Sequence, residues 1–246
     1  NFKEAIFSGK TSFTMVTFCA GAKFDASTFS NEAWFHSARF NAPTEFKNAR
    51  FLTHVPEFYD ADLYEDTVFP TPDRPSDNWP PQSGENIMPA EDQKRAYSRL
   101  RLFFAKSQQI DEEQFFHRQE MRCKRQMARG GTRALYSLYA LLSDYGISIW
   151  RPLAAMGVLI TLGAALFSFH TGMEGAPPAG STFWQGMGWS MANMLPFTGF
   201  ARTYFGPEFY RGLPVWLKIY AGAQTLAAIP LLFLFGLGLR NTFRLR

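Results

Sequence analysis

The sequence predicts a multi-domain protein: a short β-solenoid, a basic helical hairpin behind a proline-rich linker, and an α-helical membrane domain with two spans and a re-entrant loop. Three observations predict it. Phenylalanine recurs through residues 1–69 at a fixed short interval. Two runs without a charge stand near the end, residues 152–169 and 219–239, of 18 and 21 residues. Between them, residues 181–200 are aromatic yet cut by Gly186, Gly188, Asn193, Pro196 and Gly199, too broken for a third span.

The first element is the ladder. Of 26 phenylalanines in the 246-residue chain, ten fall at Phe2, Phe7, Phe13, Phe18, Phe24, Phe29, Phe35, Phe40, Phe46 and Phe51, and the series continues at Phe58, Leu63 and Phe69. Steps of five and six alternate, which fits neither a helix nor an alternating strand. A small residue stands two places before many of them (Ala5, Ala22, Ser27, Ala33, Ala38, Ala49, Ala61). One large and one small inward side chain per short segment is what a narrow solenoid requires. Ala38-Arg39-Phe40, Ala49-Arg50-Phe51 and Ala61-Asp62-Leu63 resemble the unit of the pentapeptide-repeat family. That resemblance implies a right-handed, four-sided β-helix of about twenty residues per coil. About three coils fit, a stub of roughly 15 Å at ~4.8 Å per layer. The six-residue steps depart from strict pentapeptides and imply some wider corners. The ladder is already in register at Phe2, so further coils are expected upstream. Some members of the family mimic DNA, but a net charge of −3 over residues 1–69 and the apolar runs that follow argue against nucleic acid as a partner. A docking platform is the plainer expectation.

Pro70, Pro72, Pro75, Pro80, Pro81 and Pro89 mark residues 70–89 as an extended linker. Residues 90–107 read as a helix with an apolar face of Tyr97, Leu100, Phe103 and Phe104. A second helix is expected from Asp111, with Asp111 and Gln114 as a capping box, to a stop at Gly130-Gly131. The pair should form a hairpin, against a neighbouring subunit or alone. Glu113, His117 and Glu120 share one helical face among arginines and lysines, which reads as an ion-pair cluster rather than a metal site. Residues 135–142, with Tyr136, Tyr139, Tyr145 and Trp150 around them, suit an interfacial helix at headgroup level. Tyr97-Ser98-Arg99-Leu100, the Phe115-Phe116 and Glu120-Met121-Arg122 run, and Leu141-Leu142-Ser143-Asp144-Tyr145-Gly146 resemble the segment after the repeats in membrane-bound pentapeptide-repeat proteins.

At 1.5 Å per residue the two apolar runs reach roughly 27 and 32 Å, close to the ~30 Å hydrocarbon core. Arg125, Arg129, Arg133 and Arg151 precede the first, and Arg240, Arg244 and Arg246 follow the second. The positive-inside rule then puts both termini in the cytoplasm of a multi-pass inner-membrane protein and residues 171–218 outside. Ser181 is positioned to cap a helix that stops at Pro196, before Phe197-Thr198-Gly199-Phe200. The unit resembles the two-span, pore-loop architecture of tetrameric cation channels. The resemblance implies a filter at Thr198-Gly199-Phe200 with Asn193 behind it, and a homo-tetramer passing a monovalent cation. The potassium signature is absent. In the second run Gly222, Gln224, Thr225 and Pro230 are candidates for a lumen, a helix interface or a hinge.

No Gly-rich phosphate loop, nucleophile elbow or paired carboxylates in an apolar setting occur, so no enzyme and no cofactor are expected. Cys19 and Cys123 are far apart and suit a reducing compartment. Two functions follow: an oligomeric pore carrying a cytoplasmic solenoid, or a membrane-anchored scaffold whose solenoid docks a protein.

Overall fold

The computed structural model describes residues 1–71, 78–82, 84–173, 179–196 and 198–243. The chain divides into two compact units, Asn1–Ser137 and Leu138–Arg246.

The first unit opens with seven two-residue strands: β1 (Ile6–Phe7), β2 (Thr11–Ser12), β3 (Thr17–Phe18), β4 (Thr28–Phe29), β5 (Ala33–Trp34), β6 (Arg39–Phe40) and β7 (Arg50–Phe51). All pairing is parallel. β1, β4 and β7 form one sheet, β2 and β5 a second, β3 and β6 a third. Bridges from Lys23 to Glu45 and from Glu45 to Val68 add a fourth line. The register sets Ile6 beside Thr28 and Thr28 beside Arg50. From Trp34 paired with Glu57 onward the offset is one residue longer. The extra residue enters between Phe51 and Phe58, where the ladder takes a step of seven.

Side chains explain the stacking. Phenylalanines from successive layers lie face to face in four columns, with ring centres 4.7 to 5.2 Å apart. That is the hydrogen-bonding distance between strands, so parallel pairing delivers each ring onto its predecessor. Across columns the rings meet edge to face, as Phe35 and Phe46 do at 5.6 Å and 88°. The alternating step has a backbone cause. Five-residue steps begin on a turn in which the N–H three residues on returns to the ladder carbonyl: Ala5 to Phe2, Ser27 to Phe24, Ala38 to Phe35, Ala49 to Phe46. The third residue of each is left-handed, at Glu4, Met15, Ala26, Ser37, Asn48 and Asp60. The small residues sit at the ends of these turns; Ser27, Ala38 and Ala49 are buried there.

The linker does not run free. Phe51 N–H donates to Asn78 O and Asn78 Nδ2 to Ala49 O, which lays Asn78 and Trp79 over β7. Trp79 stands 5.1 Å from Phe51 and donates Nε1–H to Pro70 O at 2.7 Å. Pro72 and Pro75 lie outside the described residues.

Helices α1 (Ala90–Lys106) and α2 (Ile110–Met127) form the expected hairpin. Phe104 and Phe116 stack at 5.4 Å and set their edges on Phe69 and Trp79. The hairpin therefore closes one end of its own chain's stack. Asp111 does not cap α2: the helix starts one residue earlier, after Gln109, with no side-chain cap. Glu120 is buried but paired, with Lys124 at 2.7 Å and Arg101 at 3.1 Å. Helix α3 (Gly130–Ser143) leads into the second unit.

The second unit holds α4 (Trp150–Met173), α5 (Ala179–Asn193), α6 (Phe200–Gly212) and α7 (Val215–Thr242). Trp150–Thr171 and Val215–Thr242 are long and apolar enough to cross a membrane. Both exceed the charge-free runs because their ends take in tryptophan, lysine and arginine. The turn before α4 is fixed by Ser143 O, which accepts from Gly146, Ile147 and Ser148. Asn241 Nδ2 donates to Gly146 O at 2.8 Å, so α7 ends beside the start of α4. Helix α5 begins at Ala179, ahead of Ser181. Helix α6 breaks at Gly206, and α7 continues through Pro230.

Candidate functional site

Two places gather chemistry, one in each unit. In the second unit, α4, α5 and α7 meet around a polar cluster. Gln224 is 2% exposed. Its Nε2 donates to Ser190 Oγ at 2.6 Å and Ser190 O at 3.1 Å. Tyr220, one turn earlier on α7, donates its hydroxyl to Leu159 O at 2.6 Å. Thr225 Oγ1 donates to Ala221 O and to Asn193 O, and Tyr210 OH donates to Asn193 Oδ1 at 3.2 Å. Close approach makes this possible. A Cβ on Gly163 would collide with Ser190 Oγ, and one on Gly186 would lie 2.9 Å from Ala164 O. Small residues at such crossings let helices in lipid pack backbone to backbone.

The structure thus brings Asn193, Gln224 and Thr225 together and leaves Gly222 and Pro230 exposed on α7. Ser190 and Tyr220 belong to the cluster although the sequence reading passed over them. The signal was there: Ser190 precedes Asn193 by three residues and Tyr220 precedes Gln224 by four, one helical turn in each case.

The turn after α5 uses its own polar groups. Thr198 donates both N–H and hydroxyl to Leu195 O, and its hydroxyl accepts from Phe200 N–H. Gly199 is left-handed, with φ 66°, and its carbonyl accepts from the N–H and hydroxyl of Thr203. Thr198, Gly199 and Phe200 are exposed and Pro196 half-buried, while Phe197 lies outside the described residues.

In the first unit a cleft of about 900 Å³ runs between the flank of the stack and α1. Trp34, His36, Glu57 and Tyr59 line one side, and Asp92, Arg95 and Arg99 the other. His36 Nε2 lies 3.0 Å from Glu57 Oε2. Glu32 holds Lys10 at 2.9 Å and His54 at 3.9 Å. The Arg99 guanidinium sits over the Tyr59 ring at 4.4 Å. His36 and His54 stand along one wall of this cleft. No group of three or more metal-ligating side chains occurs among the described residues.

Outside the cleft, burial sets two groups apart. It pushes the Cys123 thiol up to about 11, which keeps it protonated and unreactive. It holds the His117 imidazole below its ordinary value, with the Arg101 cation adding to the effect.

No protein-family model, no curated protein and no solved structure matches this chain.

Proposed function

We propose that the protein is a membrane-anchored docking platform: α4 and α7 cross the bilayer, and the N-terminal stack is a β-solenoid of the pentapeptide-repeat kind that presents a rigid surface to a protein partner. One observation carries this reading. Polar groups that a conducting lumen would need are bonded inside a single protomer, although Gln224 Oε1 and Asn193 Nδ2 are buried with no hydrogen-bond partner among the described residues. Gln224 bonds Ser190, Asn193 bonds Tyr210 and Thr225, and the Gly199 carbonyl caps its own helix. A filter works by offering free carbonyls to a dehydrated cation. The bond from Asn241 to Gly146 supports placing both flanks of the pair of spans on one side, and their arginines favour the cytoplasm of an inner-membrane protein.

A second reading has its own support. Helix α5 is 15 residues long, too short to span, and packs between α4 and α7 ahead of an exposed turn with a left-handed glycine. This is the order of parts in a pore-loop tetramer that passes monovalent cations. Liposome flux separates the two. Purified protein at several densities is expected to leave sodium and potassium gradients as intact as in protein-free vesicles. Flux that disappears with Gly199→Pro would replace the platform by the pore.

A further inference from the structure

We propose that α3 is a lipid-binding helix: its leucine side lies against the acyl chains of the cytoplasmic leaflet, and Arg129 and Arg133 hold the phosphates of anionic lipids there. The inference rests on the reading in which α4 and α7 cross the bilayer, and it adds the class of lipid that the anchor contacts.

One side of α3 is uncovered. Leu135, Leu138, Leu141 and Leu142 recur at three- and four-residue spacing and share that side. Leu135, Leu138 and Leu141 are 68%, 50% and 70% exposed. Ala140 and Ser143 stand on the opposite side and tie the helix to its own chain. Arg151 Nη1 donates to Ala140 O at 2.7 Å, and Ser143 O accepts three N–H groups from the turn before α4. The corner is held, and the leucines point away from it.

What covers the leucines follows from where the helix ends. Leu142 packs against a cluster of Met156, Met194, Ala228 and Leu231, which joins α4 and α7. Met156 is six residues past the first residue of α4, about 9 Å along it. The last turn of α3 therefore lies beside the two apolar helices, within their length rather than beyond their ends. At that depth their exposed side chains, such as Val158 and Phe233, meet hydrocarbon, and the leucine side extends the same surface.

Charge sets the lipid class. Arg129 and Arg133 are the only charged residues in 128–143, and both are exposed. Among the described residues neither has a carboxylate within ion-pair distance. Arg133 stands nine residues before Leu142, about 14 Å along the helix. An arginine at that remove keeps its stem on apolar surface and its guanidinium among headgroups. Its planar fork suits a phosphate, and each cation near an anionic leaflet strengthens the contact about fivefold.

The test uses the full chain in lipid nanodiscs, with Leu138→Cys, Ser137→Cys or Val158→Cys in a Cys19→Ser background, each labelled with a fluorophore. Cys123 is buried and stays unlabelled. Lipids brominated in their acyl chains should quench positions 138 and 158 several-fold more than position 137, and aqueous iodide should give the reverse order. Brominated phosphatidylglycerol, as a minor lipid, should quench position 138 more than phosphatidylcholine with the same chains. That preference should disappear in Arg129→Gln with Arg133→Gln, while quenching by the choline lipid persists and shows that the helix is in place. Excess inorganic phosphate should leave the preference unchanged; its loss would assign the arginines to a free anion and overturn the lipid. Iodide quenching at position 138 without bromine quenching, or equal quenching by both headgroups, would also overturn the proposal. The underlying reading fails separately: an unquenched position 158 removes the crossing of the bilayer, and cation flux with intact quenching at position 138 removes the platform.

Discussion

Trp79 and Gln224 do similar work in different units. Each is a large buried side chain whose polar end is tied to a backbone carbonyl, Pro70 in one case and Ser190 in the other. Trp79 occupies the place of the next ring in the column of Phe7, Phe29 and Phe51. Trp79→Ala opens a cavity between Phe51 and Phe116 and is expected to cost about 3–5 kcal/mol, read as a lower denaturant midpoint for the first unit. His117 makes the fold sensitive to pH. Its folded value is depressed, so the unfolded chain takes up the proton first. Its contribution is fully present above about 6.5 and is lost as pH falls through the folded value. The midpoint of thermal unfolding should drop on acidification below that point, and less steeply in His117→Gln. An equal drop in both proteins would rule out His117 as its source.

At the scale of elements, the ladder was legible because one residue type at one spacing fixes what the interior must hold. The turns behind its alternating steps were not, since no sequence rule asks for Met15 or Ala26 at a left-handed position. Register imposes it: each layer must repeat the corner of the one below. Such a position costs a Cβ-bearing residue about 1–2 kcal/mol. Ala26→Gly should therefore raise stability by about 0.5–1 kcal/mol, the reverse of the usual cost of glycine. Asn48→Gly should be nearly neutral, because asparagine tolerates that conformation. The hairpin helices were legible from their apolar faces. What those faces cover was not, since stacking on Phe69 and Trp79 is long-range. The linker hid Trp79 for a related reason: six prolines indicate an extended chain but not the direction in which it returns. In the second unit, length and lack of charge identified α4 and α7. The partners of Gln224 depend on how α5 packs, which residue spacing leaves open.

For the whole molecule, two units combine unlike physics. The first is held by aromatic stacking at strand spacing, and the second by helices that approach through glycine and share buried amide and hydroxyl bonds. On the proposed reading, the Gln224 cluster is the dry interior of an anchor. Cysteine accessibility in sealed liposomes tests it most directly, with Gln224→Cys and Phe200→Cys each made in a Cys19→Ser background and exposed to a charged thiol reagent. Gln224 is buried and Phe200 is 49% exposed, so modification is expected at position 200 and not at position 224. Reaction at position 224 as fast as at position 200 would mean that water reaches the cluster, and would contradict the account.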